Sequence, residues 1–433
     1  MRSWDAQRIA HEAGAELVSG AGPIGPQRVV IDSREVASGD LFVGLAGERD
    51  DGGRFAAAAL ATGAWGVLVA PEHRDVEGPG VVLVADDPLA ALQRLATAWR
   101  HELGCRVIGI TGSTGKTTTK DILRAMLAGS LRTVATAGNR NTELGVPLTI
   151  LEASEHTEVL VLEMGMRGAG QITELAAIAQ PDVGIVVSVG PVHLELLGSV
   201  EAIAAAKAEL LHALPADGVG IVPFADPLLA PHLAGVPGLV TFGPGGDVER
   251  LPPGLDIPLP SSHLRRNALA ALAAARAVGV EPEGRIEVEL SRLRGERIDV
   301  GGGVTVIDDC YNANPMSMQA ALDDLAGTAS GRSVAVLGDM LELGPDERRF
   351  HAELGVHARD AGVGLLVTVG PLAAHAGPAF GGPVRATQTA AEAAALIPEL
   401  VEPGDVVLVK ASRGVGLEVI AHALAERPEA SDG

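Results

Sequence analysis

One run of residues, Gly112-Ser113-Thr114-Gly115-Lys116-Thr117-Thr118, joins two glycines, a lysine and several hydroxyls between an apolar stretch, RVIGI, and an amphipathic one, KDILRAML. Strand, glycine-rich turn and helix start form the setting in which backbone N–H groups and a helix N-terminus hold phosphate. Here Gly112, Ser113, Thr114, Gly115 and Thr118 would wrap the phosphates of ATP. Lys116 would reach the β and γ phosphates, and the Thr117 hydroxyl would ligate Mg²⁺. A strict G-x-x-x-x-G-K-[ST] pattern would place its first glycine at position 110, which is Ile110, with Gly109 one residue early. ATP-dependent phosphoryl transfer is the chemistry this pattern points to, and a turn capping a helix is the plain alternative. The loop alone does not name the acceptor.

Other residues gain meaning from their place beside apolar runs. Glu163 ends EVLVLE and His193 follows VGIVVSVG. If both runs are parallel strands, both side chains stand at the carboxyl ends of a sheet, where open α/β sheets bind ligands. A carboxylate there suits Mg²⁺ and a histidine suits it less well, so a solvated strand end and an ordinary loop histidine stay open. Lys207, within AIAAAKAEL, reads as a helix lysine, usually a surface charge on a snorkelling stem. His263 and Asn267 lie one helical turn apart, on one face. Asp308, Asp309, Tyr311 and Asn312 follow the run VTVI, and Tyr311 is the only tyrosine.

Something must position these groups. At 433 residues the chain exceeds one ordinary core. A domain size of roughly 150 residues suggests three domains. Residues 1–100 carry strand-like runs at 28–32, 40–45, 66–69 and 81–84, a small α/β domain. From about 101 the pattern becomes buried parallel strands (RVIGI, EVLVLEMG, VGIVVSVG) separated by helices near 116–127, 171–179 and 200–214. A Pro/Gly-rich stretch at 244–260 precedes the helical HLRRNALAALAAARAVG, and a second break spans 295–303. VTVIDD, SVAVLGD, GLLVTVG and DVVLVK then alternate with helices over 299–433, a Rossmann-like, doubly wound domain.

Composition narrows the function classes. Lys and Arg number 33 against 55 Asp and Glu, a net charge of −22, so the surface repels nucleic acid and anionic membranes and no basic patch overrides it. An anionic substrate must be met by local cations, helix N-termini or Mg²⁺. Two cysteines, Cys105 and Cys310, form no metal or disulfide pattern, which fits a reducing cytoplasm. No apolar run reaches the roughly 18 residues of a membrane span.

TGSTGKTTT, with its offset glycine, resembles the ATP loop of the Mur ligase superfamily. Further segments extend the likeness from Asp32 to Glu418: DSREVASGDLFVGLAGERDDGGRF, GNRNTELGVPLT, VLEMGMRGAGQI, PVHLELLGS, DDCYNANPMSM, VLGDMLELG and LVKASRGVGLE. The resemblance implies an ATP- and Mg²⁺-dependent amide ligase acting through an acyl phosphate, with UDP-N-acetylmuramoyl tripeptide and D-Ala-D-Ala as substrates. It implies a cytoplasmic monomer, with no nucleic-acid or membrane partner. It makes Lys116, Glu163, His193 and a carbamylated Lys207 catalytic, with Thr117, Glu163, His193 and Lys207 around the metal.

By the same resemblance His263, Asn267, Arg297, Asp309 and Tyr311 meet ATP. Ser33, Arg34, Gly47, Asn139, Asn141, Thr142, Asn312, Lys410, Ser412 and Arg413 meet the other substrates, and Asp339 and Glu342 orient rather than react. The three segments become a UDP-substrate-binding domain, an ATP-binding domain over 101–298 and a ligase domain. Three departures stand out: Thr142 where a second Asn is common, Ala411 in place of a glycine, and Gly53 where a histidine often stands. Another amino-acid ligase of the superfamily and an ATP-binding protein that does not ligate are the alternatives.

Overall fold

The computed structural model describes residues 1–22, 24–47, 50–259 and 261–425. Glu48 and Arg49 of the segment 32–55, Pro260 and residues 426–433 lie outside the described residues. Three α/β sheets of five, six and six strands follow one another along the chain, and a two-stranded pair, Leu255–Asp256 with Gly284–Arg285, lies between the second and the third.

The first sheet runs in the order Glu16–Ser19, Val81–Val84, Gly66–Val69, Leu41–Val43, Val29–Val30. Its last four strands are parallel, while Glu16–Ser19 is an antiparallel edge. That edge strand escapes a pattern search because it is short and half-exposed, with no apolar run. The helix Pro88–Leu103 starts on the Asp87 side chain with proline in its first turn and stops at Gly104, whose φ is 57°. Proline at the start and a left-handed glycine at the end are the usual signals for both boundaries. On its inner face Trp99 meets Trp4 edge to face and donates its indole N–H to the Ala153 carbonyl at 2.9 Å. One core therefore spans the first and second sheets, and this helix crosses the boundary expected at 100.

The second sheet is wholly parallel: Val240–Phe242, Val219–Pro223, Val183–Val186, Arg106–Thr111, Val159–Glu163, Thr133–Ala135. Arg106–Thr111 sits between two neighbours with both faces covered, which explains its unbroken apolar sequence after Arg106. Ile110 pairs with Glu163 on one side and Ile185 on the other, so the loops after all three strands leave the sheet side by side. The alanine-rich helix Ser262–Ala277 packs on the helix Lys116–Leu127, its small side chains buried between them.

The third sheet runs Glu296–Asp299, Thr305–Asp308, Val406–Lys410, Ser333–Gly338, Leu365–Val369, Val384–Thr387, with only the first strand antiparallel. Residues 295–303, read from sequence as a break, contain that strand. Gly301, Gly302 and Gly303 all have positive φ and turn the chain back, so the third sheet begins before residue 299. The carboxyl ends at Asp308, Gly338 and Lys410 lie together. No helix among the described residues is long and apolar enough to cross a membrane.

Candidate active site

The loop after Arg106–Thr111 is held open for a ligand by its own hydrogen bonds. Ser113 Oγ donates to the Gly190 carbonyl at 3.0 Å and accepts the Gly190 N–H at 2.9 Å. Ser188 Oγ accepts the Thr114 N–H at 3.0 Å and donates to the Thr114 carbonyl at 2.9 Å. Gly115 has φ 83°, and a Cβ there would lie 2.7 Å from Asn267 Oδ1. The helix Lys116–Leu127 begins at once after it with no side-chain cap, leaving its first N–H groups free for an anion. Ile110 is wholly buried in the strand, so the loop opens only at Gly112. That explains the missing first glycine of the strict pattern.

Lys116 folds back over the loop, donating to the Gly112 carbonyl at 2.7 Å. Enclosure pulls its ammonium below the ordinary lysine range; Glu163 opposes this and Arg294 adds to it. Glu163 is 2% exposed. Its two oxygens accept the Thr117 hydroxyl at 2.9 Å and the Asn141 amide at 2.8 Å. Among the described residues no lysine or arginine pairs with this carboxylate, so its charge is met only by those donors and the field of Lys116. A buried carboxylate beside a hydroxyl, with no cationic partner, fits a hard divalent cation.

Lys207 is not the surface charge that its helix suggests: it is 2% exposed, and no carboxylate pairs with it among the described residues. Burial first, and then Lys116, lowers its pKa well below the usual value. A lone buried amine of this kind is the form that can take up CO₂. His193 has φ 53°, and its Nδ1 is bound to the Glu342 carboxylate of the third sheet. Such a backbone conformation is uncommon outside glycine. Burial lowers the His193 pKa, Glu342 raises it, and Lys116 and Lys207 lower it.

A cavity of about 660 Å³ brings together Lys116, Thr117, Glu163, His193, Asn139, Asn141 and Thr142 from the second sheet with Arg294, Tyr311 and Asn312 from the third. A cavity of about 880 Å³ shares Lys116, His193, Arg294, Tyr311 and Asn312 and adds Glu342, Ser412 and Arg413. On the other side of the loop, a cavity of about 470 Å³ is lined by Thr114, Gly115, Thr118, His263, Asn267, Arg297, Asp309 and Lys410. Gly112 is buried behind the loop.

The cavities group two candidates differently from the expectation. Lys410 stands with the ATP candidates rather than the substrate candidates, its ammonium 2.6 Å from Asp309 and bonded to the Asn312 carbonyl at 2.9 Å. Tyr311 lines the other two cavities, its ring 3.8 Å beneath the Arg294 guanidinium. Arg297 lines the cavity of the other ATP candidates, engaged there by Asp324 at 3.1 Å and Thr328 at 2.5 Å, whereas Arg294 lines all three cavities. Sequence reasoning missed Arg294 because three arginines, Arg292, Arg294 and Arg297, occupy one short segment, RLRGER, and only tertiary partners tell them apart. It also missed Asn314, which caps the helix Pro315–Thr328 and reaches the Ser113 carbonyl at 3.5 Å.

Asp308 is buried and binds the Cys310 N–H; Asp339 caps the turn at Leu372 and Ala373, an orienting role. Ser33 and Arg34 stand in the 3-10 turn Ser33–Glu35 and Gly47 on a loop, after strands of the first sheet and apart from these cavities, and Arg34 pairs with Asp32 at 2.5 Å. A Cβ on Gly53 would fall 2.1 Å from the His73 ring. His73, bound to Asp51 at 2.6 Å, thus occupies the space that a side chain at 53 would take.

The geometry has counterparts among known proteins. Residues 110–251 match the family profile "Mur ligase middle domain" and residues 293–413 match "Mur ligase, glutamate ligase domain". The chain is 37% identical to the UDP-N-acetylmuramoyl-tripeptide–D-alanyl-D-alanine ligase of Bacillus subtilis, over 96% of this chain and 98% of that one. It is 32% identical to the ligase of the same name from Escherichia coli, over 92% and 93%. The crystal structure of MurF from Acinetobacter baumannii superposes with a TM-score of 0.87 at 31% identity, covering 98% of this chain and 99% of that one. MurF ligase from Thermotoga maritima in complex with ADP gives 0.79 at 30%, covering 92% and 97%.

Proposed function

The chain belongs to the Mur ligase family, and from that membership and its site we infer that it joins D-alanyl-D-alanine to UDP-N-acetylmuramoyl tripeptide at the expense of ATP. The reaction is a step of peptidoglycan precursor synthesis. One observation carries the chemistry: a single cavity in which Lys116, Thr117 and Glu163 of the second sheet face Arg294, Tyr311 and Asn312 of the third. ATP and the carboxylate that it activates, held on opposite walls, would react across it.

The terminal carboxylate of the tripeptide takes the γ-phosphoryl group of ATP, giving an acyl phosphate and ADP. The free amine of D-Ala-D-Ala then attacks the acyl carbon, phosphate leaves, and the amide remains. Mg²⁺, held by Thr117, Glu163, His193 and a carbamylated Lys207, would screen the triphosphate from the approaching carboxylate. Lys116 and Arg294 place fixed positive charge where negative charge grows, in a site already partly shut from water. Asn267, His263 and the Asp309–Lys410 pair form the wall against which the nucleoside would lie. Asn139, Asn141, Thr142, Asn312, Ser412 and Arg413 surround the peptide ends. Ser33, Arg34 and Gly47 would hold the uridine nucleotide on the first domain, which ends with the helix Pro88–Leu103; the ATP domain follows it, and the ligase domain begins with the strand Glu296–Asp299.

A ligase adding a single amino acid is disfavoured by full-length relatives that carry the dipeptide-ligase name. Retention of Lys116, Glu163 and His193 speaks against a protein that binds ATP without ligating, and the net charge of −22 against nucleic acid as partner. Work as a monomer in the cytoplasm, where nucleotide substrates are available, completes this reading. Phosphate release from ATP should require both UDP-N-acetylmuramoyl tripeptide and D-Ala-D-Ala; no release with all three present overturns the assignment.

A further inference from the structure

In the loop after Ser333–Gly338, Glu342 bonds the second sheet's loops at three points. Its carboxylate binds His193 Nδ1, its carbonyl accepts the Glu195 N–H at 3.3 Å, and its second carboxylate oxygen lies 3.7 Å from the Arg167 guanidinium. His193 and Glu195 follow Val183–Val186, and Arg167 follows Val159–Glu163, so all three partners belong to the opposite domain.

Both ends of this contact are strained. Glu342 has φ 62° and His193 has φ 53°. Such conformations are uncommon for a side-chain-bearing residue and persist where surroundings over-determine them. Beside them Met316 of the third domain fills the space at Gly190 that any side chain would occupy, so the domains meet closely here.

A carboxylate on one ring nitrogen fixes the imidazole tautomer. With Nδ1–H donated to Glu342, the Nε2 lone pair is left to bind a metal, and such partners raise ligand basicity and hold the ring's orientation. Resting on the ligase reading above, we propose that Glu342 is a positioning residue which, by docking on His193 when the third domain closes, sets His193 Nε2 as a divalent-cation ligand. Cation affinity at this site is thereby coupled to closure.

The test uses the full chain with a non-hydrolysable ATP analogue and UDP-N-acetylmuramoyl tripeptide, without D-Ala-D-Ala. Mn²⁺ binding is followed by electron paramagnetic resonance and closure by small-angle scattering. Glu342→Ala should weaken Mn²⁺ binding about 10- to 100-fold and leave the liganded protein more expanded. Glu342→Gln, whose amide oxygen still accepts from Nδ1–H, should recover part of the affinity and guard against a folding defect. In a His193→Ala background, Glu342→Ala should change Mn²⁺ affinity no further. Wild-type Mn²⁺ affinity in Glu342→Ala, or an equal loss with His193 already removed, overturns the proposal. Because no product is formed, failure of the ligase reading shows instead in the phosphate-release assay.

Discussion

Lys410 Nζ lies 2.6 Å from Asp309 Oδ2, tying the end of one third-sheet strand to the residue just beyond its neighbour. The lysine is 2% exposed, so this is a buried pair. Removing one partner strands the other charge, at a cost of about 3–5 kcal/mol for fully buried pairs. Asp309 keeps some access to solvent, which points to the lower end. Lys410→Met should lower the calorimetric unfolding temperature, and Lys410→Met with Asp309→Asn should lower it by less than the sum of the single changes. A rise in the Michaelis constant for tripeptide without any loss of stability would instead make Lys410 a substrate contact.

Two of the hinge arginines, Arg294 and Arg297, should part company. Arg294 faces Lys116 and all three cavities, so Arg294→Ala should cut kcat for phosphate release about 10²- to 10³-fold, the loss typical of a preorganised charge-stabilising group. Arg297 is engaged by Asp324 and Thr328. Arg297→Ala should leave kcat within a few-fold while costing up to about 1 kcal/mol of stability. Equal kinetic losses in the two variants would refute the distinction.

Gly115 has no room for a side chain. Its φ is 83°, and Asn267 Oδ1 lies 2.7 Å from its projected Cβ. Gly115→Ala should therefore cost about 1–3 kcal/mol in ATP binding. The dissociation constant for an ATP analogue, measured by titration calorimetry, should rise about five- to 150-fold. Unchanged affinity would mean that nucleotide does not depend on this turn.

Burial holds the Lys207 pKa well below its unfolded value, so between the two the unfolded chain binds the extra proton and stability rises with pH. In metal-free, CO₂-stripped buffer the penalty is complete below the folded pKa. It fades as pH climbs towards about 10.4, the ordinary lysine value. Lys207→Met should therefore be more stable than wild type at low and neutral pH, with the gap closing in alkali. A pH-independent gap would show that packing, not charge, sets the difference.

In the presence of ¹³CO₂, wild-type protein should show a carbamate carbon signal by NMR that Lys207→Met lacks. The amine is buried, unpaired with any carboxylate among the described residues, and beside Lys116, so a negative group formed on it would be stabilised locally. A signal that survives in the variant would assign the modification elsewhere.

Much of this protein is written in local pattern. The central strands of the second and third sheets are apolar runs because parallel strands covered on both faces have no polar side to show. The phosphate loop is legible because glycine, lysine and hydroxyl are each required by backbone geometry or charge at fixed spacing. Edge strands such as Glu16–Ser19 and Glu296–Asp299 were not legible, since half-exposed pairing leaves no periodic signature.

Partnership was decided only by the fold. Arg294 and Arg297 are chemically equivalent in the chain, and their roles separate because Asp324 and Thr328 happen to meet one of them. Lys207 reads as a surface lysine until the helix Val200–His212 packs its face inward. Glu342 touches His193 across 149 residues of chain. Ion pairing, burial and desolvation depend on distances through space, and a linear spacing constrains those distances only within one helix, strand or turn.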